Sequence, residues 1–277
     1  MKRSIFKIFI VASALLVGSS PKAFSDAPPT TEARLTRVEG NVYLHLRDHP
    51  FGTFIAAEEG APIEEGDRIL TGADGLAEVS LGGESLIQVE SKSDFTVKSL
   101  APARTEFHLG LGTLLAKIRS LLPDQHLEFS TPVAVAAVRG TELAIAQEEG
   151  KPAHVGVFDE GHVAVTSSGK GGGGVTVGPG QETEVRPSGK PAKAHPLQVF
   201  LAQRDKMTPL RKRREAVHRN WVNRSPEEIR EIRNSLRKKP SVEAQVLEKA
   251  GVQNRKETPP PTKGRSREPR PRTTRKN

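Results

Sequence analysis

The chain has 277 residues, of which 35% are hydrophobic, 27% charged and only 4% aromatic, with 25 Gly and 21 Pro. That is room for one or two domains, and it is lean for a chain packed throughout, so part of it is expected outside any core. The absence of cysteine excludes disulfide frameworks, thiolate metal sites, cysteine nucleophiles and a lipidated N-terminal cysteine. The net charge of +9 is segregated: residues 1–25 carry +4, residues 26–189 carry −11 and residues 190–277 carry +16. This is an acidic body with a basic tail.

Met1 to Lys7 is short and basic, and Ile8 to Val17 is apolar apart from small residues. Ala23-Phe24-Ser25 then places small residues three and one before a cut. This order is that of a secretory signal peptide, cleaved after Ser25. Ten apolar residues are too few for a hydrocarbon core that needs about 20. The mature chain is therefore expected in the periplasm or otherwise exported, which argues against nucleic acid as a partner whatever the charge of the tail. Residues 26–33 read as a linker.

From residue 34 to 188 the pattern predicts an all-β domain. Short runs recur between turn signals: Leu35 to Val38, Val42 to Leu46, Leu76 to Leu81, Ser85 to Val89, Phe95 to Val97, Glu106 to Leu109, Leu127 to Phe129, Glu142 to Ile145, His154 to Phe158 and His162 to Thr166. Val42 to Leu46 and His162 to Thr166 alternate with period two, one side-chain set for a core and one for water. Turns about every ten residues suit a solenoid or roll of short antiparallel strands, or a sandwich. Glu-Gly pairs at 39–40, 59–60, 65–66, 149–150 and 160–161 mark tight turns. Leu111 to Leu122 is ambiguous between helix and strand, and Gly169 to Gly174 reads as a surface loop.

The run from Thr131, Pro132 and Val133 through Val138, Arg139, Gly140, Thr141, Glu142 and Leu143 resembles the signature of the FecR domain family, β domains found outside the bacterial cytoplasm. The earlier Glu65-Gly66-Asp67-Arg68 and Gly75-Leu76-Ala77-Glu78, and the later Glu160-Gly161-His162-Val163 and Pro179-Gly180-Gln181, fit the same pattern. The best-known members regulate iron-siderophore uptake, joining a cytoplasmic sigma-factor-binding segment to a periplasmic domain through one membrane helix. Here an export signal stands where that segment would be. The resemblance therefore implies a periplasmic β domain with a protein-interaction or scaffold role. Thr131, Pro132, Val138, Arg139, Gly140, Thr141 and Glu142 are its motif residues, with a structural or a partner-binding role. Arg139 follows an apolar run and is expected to be at least partly buried, in a polar network with Thr141 and Glu142.

No catalytic or cofactor motif is present, and no base–nucleophile pair can be nominated, so neither an enzyme nor a cofactor is expected. His45 and His49 lie on a strand and just past it, a spacing that reads as surface histidines rather than metal ligands. Glu58, Glu59, Glu64, Glu65 and Asp67 lack the spaced loop of a calcium site and read as a solvated acidic edge.

Residues 189–252 read as a separate, basic helical segment. Leu197, Phe200, Leu201 and Met207 form an apolar stripe before Pro209. Ser225-Pro226-Glu227-Glu228 starts a helix carrying Ile229, Ile232 and Leu236, which Pro240 stops. Ser241 can cap a further short helix with Val242, Val246 and Leu247 inward. Residues 253–277 have the composition of a disordered basic tail. Arg211, Lys212, Arg213, Arg214, Lys238 and Lys239 are the candidate polyanion-binding residues, suited to anionic envelope polymers or a peripheral membrane contact.

The expected function is that of an exported, non-enzymatic envelope protein. Its β domain would bind a protein or envelope partner while its tail tethers it to an anionic surface; the alternative is a periplasmic sensor in a signal-transduction system. N-terminal sequencing of the mature protein is expected to begin at Asp26; an intact Met1 on a cytoplasmic product would sink the export assignment.

Overall fold

The structure, a computed structural model, describes residues 31–50, 52–169 and 173–242. The expected signal peptide, residues 170–172 of the Gly169–Gly174 loop and residues 243–277 lie outside the described residues.

Seventeen strands form two facing sheets that share one strand. The shared strand is β9 (Arg104–Lys117). The first sheet runs, in spatial order, through β4 (Pro62–Ile63), β1 (Ala33–Glu39), β6 (Leu76–Leu81), β7 (Ser85–Val89) and the C-terminal half of β9. It continues through β12 (Glu142–Gln147), β13 (Ala153–Val157), β16 (Gln181–Val185) and β17 (His195–Pro196). The second sheet runs through β3 (Ile55–Ala56), β2 (Val42–His45), β5 (Arg68–Thr71), β8 (Asp94–Ala101) and the N-terminal half of β9. It ends with β10 (His126–Ser130), β11 (Ala134–Val138), β14 (Val163–Ser167) and β15 (Gly174–Val177). All pairings are antiparallel except β9 with β10.

Period-two alternation builds one core between the sheets. Leu35, Val79, Ile87, Leu114, Leu143 and Val155 of the first sheet meet Leu44, Ile69, Phe95, Phe107, Phe129 and Val165 of the second, all fully buried. Phe95, Phe107 and Phe129 stack in sequence at 5.3 and 5.4 Å between ring centroids. Each of the ten runs read from the sequence falls on a strand, with Leu46, Phe158 and His162 one residue beyond the ends of β2, β13 and β14. Leu111 to Leu122 is not helical: its first half completes β9 and the rest is loop. The strand changes sheets where Gly112 takes φ +96 and lies against Ser93, whose Cα would sit 2.5 Å from an added Cβ. Only glycine allows this bend without displacing the neighbouring chain.

The segment after residue 188 is not a separate body. β17 extends the first sheet, and Phe200 inserts into the domain's outer face beside Gly156. A short 3-10 turn leads into α1 (Arg204–Asn220), and α2 (Pro226–Arg237) follows. α1 does not end before Pro209 but runs through it, with the next turns held by arginines bound to the β domain. α2 starts with the expected reciprocal cap: Ser225 Oγ accepts from the Glu228 amide (3.2 Å), and the Ser225 amide donates to the Glu228 carboxylate (2.7 Å). Val242 is not helical; it bridges to Phe54 as a strand residue, its amide 2.7 Å from the Phe54 carbonyl. Val246 and Leu247 lie outside the described residues.

Candidate functional site

The outer face of the first sheet is a narrow apolar strip with acidic margins. Leu86 on β7, Leu115 on β9 and Ala144 on β12 point away from the core and are buried with Phe158 beneath Phe200, Met207 and Leu210. Met207 and Leu210 are the only buried residues of α1, so little apolar area holds the helix, and charge supplies the rest. Lys206 reaches Glu90 (2.8 Å) and Arg204 reaches Asp159 (2.7 Å). Arg213 donates to Glu78 and Gln88, each at 2.5 Å, and Arg214 to the Glu84 carbonyl (2.8 Å). At the centre Arg211 grips the fully buried Glu142 through both carboxylate oxygens and also contacts Asp159. Lys117 approaches Glu142 from β9 at 3.1 Å and Glu160 at 2.6 Å.

Burial alone would raise the pKa of Glu142, but hydrogen bonds and charge from Arg211 and Lys117 outweigh it and hold the carboxyl below its ordinary value. Hydrogen bonds from Arg211 and then Arg204 lower Asp159 likewise. Arg211 is correspondingly raised by its bonds to Glu142 and Asp159.

A second anchor lies at α2. Arg233 is 1% exposed and pairs with Asp67, which is 0% exposed. The Asp67 oxygens also accept from the amides of Arg47 (3.0 Å) and Glu64 (2.9 Å), and the Glu64 carboxylate lies 3.2 Å from Arg233. Desolvation opposes the charge on Arg233, yet Asp67, Glu64 and Asp48 raise its pKa. Ile232 and Leu236 pack against the main core beside it. Arg237 pairs with Asp48, and Lys239 with Glu58. Between the helices, Trp221 lies against Gly83 and under the Arg34 guanidinium, 3.6 Å from its ring centroid. Arg224 donates to the Gly60 carbonyl (2.6 Å).

These contacts redistribute the residues expected from sequence. Arg139 is not buried: it is exposed and makes no hydrogen bond or ion pair, because Val138 takes the inward position and Gly140, at φ +85, turns the chain immediately afterwards. The buried polar members of the motif are its neighbours. Thr141 donates to the His162 carbonyl (3.3 Å), and Glu142 takes Arg211. Thr131 opens β11, its Oγ accepting from the amides of Val133 (3.2 Å) and Ala134 (3.0 Å). Pro132 is exposed and offers its carbonyl to Ser168 (2.8 Å). Of the basic candidates, Arg211, Arg213, Arg214 and Lys239 are engaged with the β domain, while Lys212 and Lys238 are exposed. The acidic edge is likewise not simply solvated: Asp67 is internal, and Glu58 and Glu64 hold basic side chains of the C-terminal segment. Arg233 had no signal of its own in the sequence, where it stands as one more cation in an amphipathic helix. Its position one residue after Ile232 and three before Leu236 puts it at the margin of the buried face.

The outer face of the second sheet between β9 and β15 carries no helix of the described residues. Glu106, Glu128, Ala137, Ala164 and Thr176 form one outward row across it, and Ala137, Ala164 and Thr176 are exposed. Among the described residues no group of His, Asp or Glu is arranged to hold a metal, and no helix is long and apolar enough to cross a membrane.

A two-sheet β domain braced by its own basic helices is the class of protein this geometry defines. Residues 67–164 match the family described as FecR protein, a segment that opens on Asp67 and contains Glu142. Two crystal structures of a candidate anti-sigma factor from Parabacteroides distasonis ATCC 8503 are similar at 12% identity and a TM-score of 0.41, covering 48% of this chain. The alignment spans 61% of the length of those chains. No curated protein matches the chain.

Replacing Arg233 by Ala leaves the Asp67 carboxylate buried without its cation and is expected to cost about 3–5 kcal/mol in urea unfolding. Arg211→Ala is expected to cost less, about 1.5–3 kcal/mol, because Lys117 still faces Glu142. Since the pKa of Glu142 is lowered by folding, its contribution is present at neutral pH and is lost as pH falls through and below the ordinary carboxylate range of about 4. A loss for Arg233→Ala below about 1 kcal/mol would show that Asp67 does not depend on this partner.

Proposed function

We infer that the protein is an exported, non-enzymatic FecR-domain protein that binds a partner in the bacterial envelope through the open outer face of its second sheet. The observation that carries this reading is the asymmetry of the two faces: α1 covers the first, whereas Ala137, Ala164 and Thr176 of the second stay exposed. Family membership of the matched segment supports a regulatory, signal-transducing setting, in which the partner would be a transmembrane regulator. A scaffold role would instead bring an outer-membrane or cell-wall partner.

The tethering role passes from the helices to the last residues. Of the six candidates for polyanions, Arg211, Arg213 and Lys239 are spent on the domain's own carboxylates and Arg214 on a carbonyl. Residues 243–277 hold ten Lys and Arg against four Glu, a net charge of +6. Such a segment would contact an anionic surface by charge.

A photo-crosslinking side chain at Ala164 is expected to capture a protein in intact cells, and one at Thr208 on the exposed side of α1 is not. Capture from Thr208 and none from Ala164 would overturn the assignment of the face. In a separate test, binding of the mature chain to anionic vesicles is expected to fall as salt shortens the Debye length from about 8 Å to about 3 Å. It should vanish when residues 243–277 are removed; undiminished binding by the truncated chain would reject the tail as the tether.

A further inference from the structure

One end of the open face carries a row of four side chains: Arg104 and His126 on β9 and β10, Arg139 one residue past β11 and His162 one residue before β14. His126 pairs in register with Arg104. Leu127 pairs with Val138, and Val138 with Val163, so one residue further along His126 faces Arg139 and Arg139 faces His162. Thr105, Leu127, Val138 and Val163 are all buried. Alternation therefore sends Arg104, His126, Arg139 and His162 outward, and all four are exposed. Adjacent strands are about 4.8 Å apart, so the two histidines flank Arg139 at neighbouring positions, the His162 ring resting beside Gly178 and free to turn toward a ligand on Arg139.

The state of Arg139 separates it from its surroundings. Every other described arginine of the β domain has a carboxylate or carbonyl partner. Among the described residues Arg139 has none, and neither imidazole of the row has a side-chain hydrogen bond. The nearest carboxylates in the sheet, Glu106 and Glu128, face Arg104, which pairs with the first and lies 4.0 Å from the second. Glu160, before β14, is tied to Lys117, and Asp124 sits in the turn before β10. Ala137 and Ala164 occupy the next outward positions beside Arg139 and His162, leaving the approach unobstructed.

We propose that Arg139, His126 and His162 form a binding site for a phosphoryl group. Arg139 presents a planar fork matched to two oxygens of an oxyanion, and each imidazole can donate through a ring N–H whether or not it is charged. A carboxylate holds its two oxygens in one plane, so an arginine that takes both leaves no third oxygen to direct toward the rings. A phosphate monoester has three terminal oxygens and can engage the arginine and both flanking rings. The site deepens, and rests on, the reading of this face as the binding face.

The test is titration of the mature full-length protein with inorganic phosphate, followed by NMR. Saturable shifts are expected at residues 126, 139 and 162. Arg139→Gln and the His126→Gln/His162→Gln double variant should each weaken binding about tenfold or more with unchanged melting, since all three side chains are exposed. Glycerol phosphate in place of inorganic phosphate distinguishes an esterified headgroup from free phosphate by which binds more tightly, and either result upholds the site. Shifts that do not saturate, equal affinity in Arg139→Gln, or the same response to acetate or chloride would overturn it. Crosslinking from Ala164 needs no phosphate, so failure of the anion site and failure of the binding face are read out separately.

Discussion

Two carboxylates buried against a sheet domain govern the arrangement of the chain. Asp67 and Glu142 are fully enclosed, and an enclosed carboxylate without a cation costs several kcal/mol. The β domain supplies Lys117 to one and backbone amides to the other; the guanidinium groups that complete both come from residues 211 and 233. Among the described residues the acidic body and the basic segment up to Val242 are therefore one folded unit, with ion pairs between them cancelling charge locally. Ion pairs in this number are individually weak at exposed positions, so the two arginines that reach the enclosed carboxylates set where the helices lie and the outer pairs adjust around them.

The same two positions are tied to the path of the strands. Glu142 opens β12, which pairs with the C-terminal half of β9, and Asp67 immediately precedes β5, which leads through β8 to its N-terminal half. The bend at Gly112 lets one strand serve both sheets. Seating of α1 thus bears on the outer face of the first sheet and seating of α2 on the edge of the core beside β4, while β9 joins the two sheets from within.

Most of the longer strands were legible because their signal is local: alternation and Gly-containing turns fix which side chains face inward, as Val163 and Val165 do. β5, β11, β15 and β16 were not among the runs read, the alanines of β11 blurring its alternation, and β3, β4 and β17, only two residues each, carry no period to read. The start of α2 was legible because Ser225, Pro226 and Glu228 form a self-contained cap. The sites were less so, since they depend on which element lies across which. Composition suggested a free basic tail because nothing local distinguishes Arg211, which ends in a carboxylate socket, from Lys212, which ends in water. Arg139 misled for a related reason: an apolar run before it suggested burial, but strict alternation past Val138 dictates the outward face.

The junction between the helices adds a practical property. Trp221 is the chain's single tryptophan, and it rests on the glycine turn between β6 and β7 with a guanidinium over its ring. The protein's indole fluorescence therefore arises from one place, the seam where the basic segment crosses from one helix to the next. Any event that lifts that segment while leaving the sandwich intact changes the emission without changing the β signal in circular dichroism, so the native sequence already contains the optical label that separates the two.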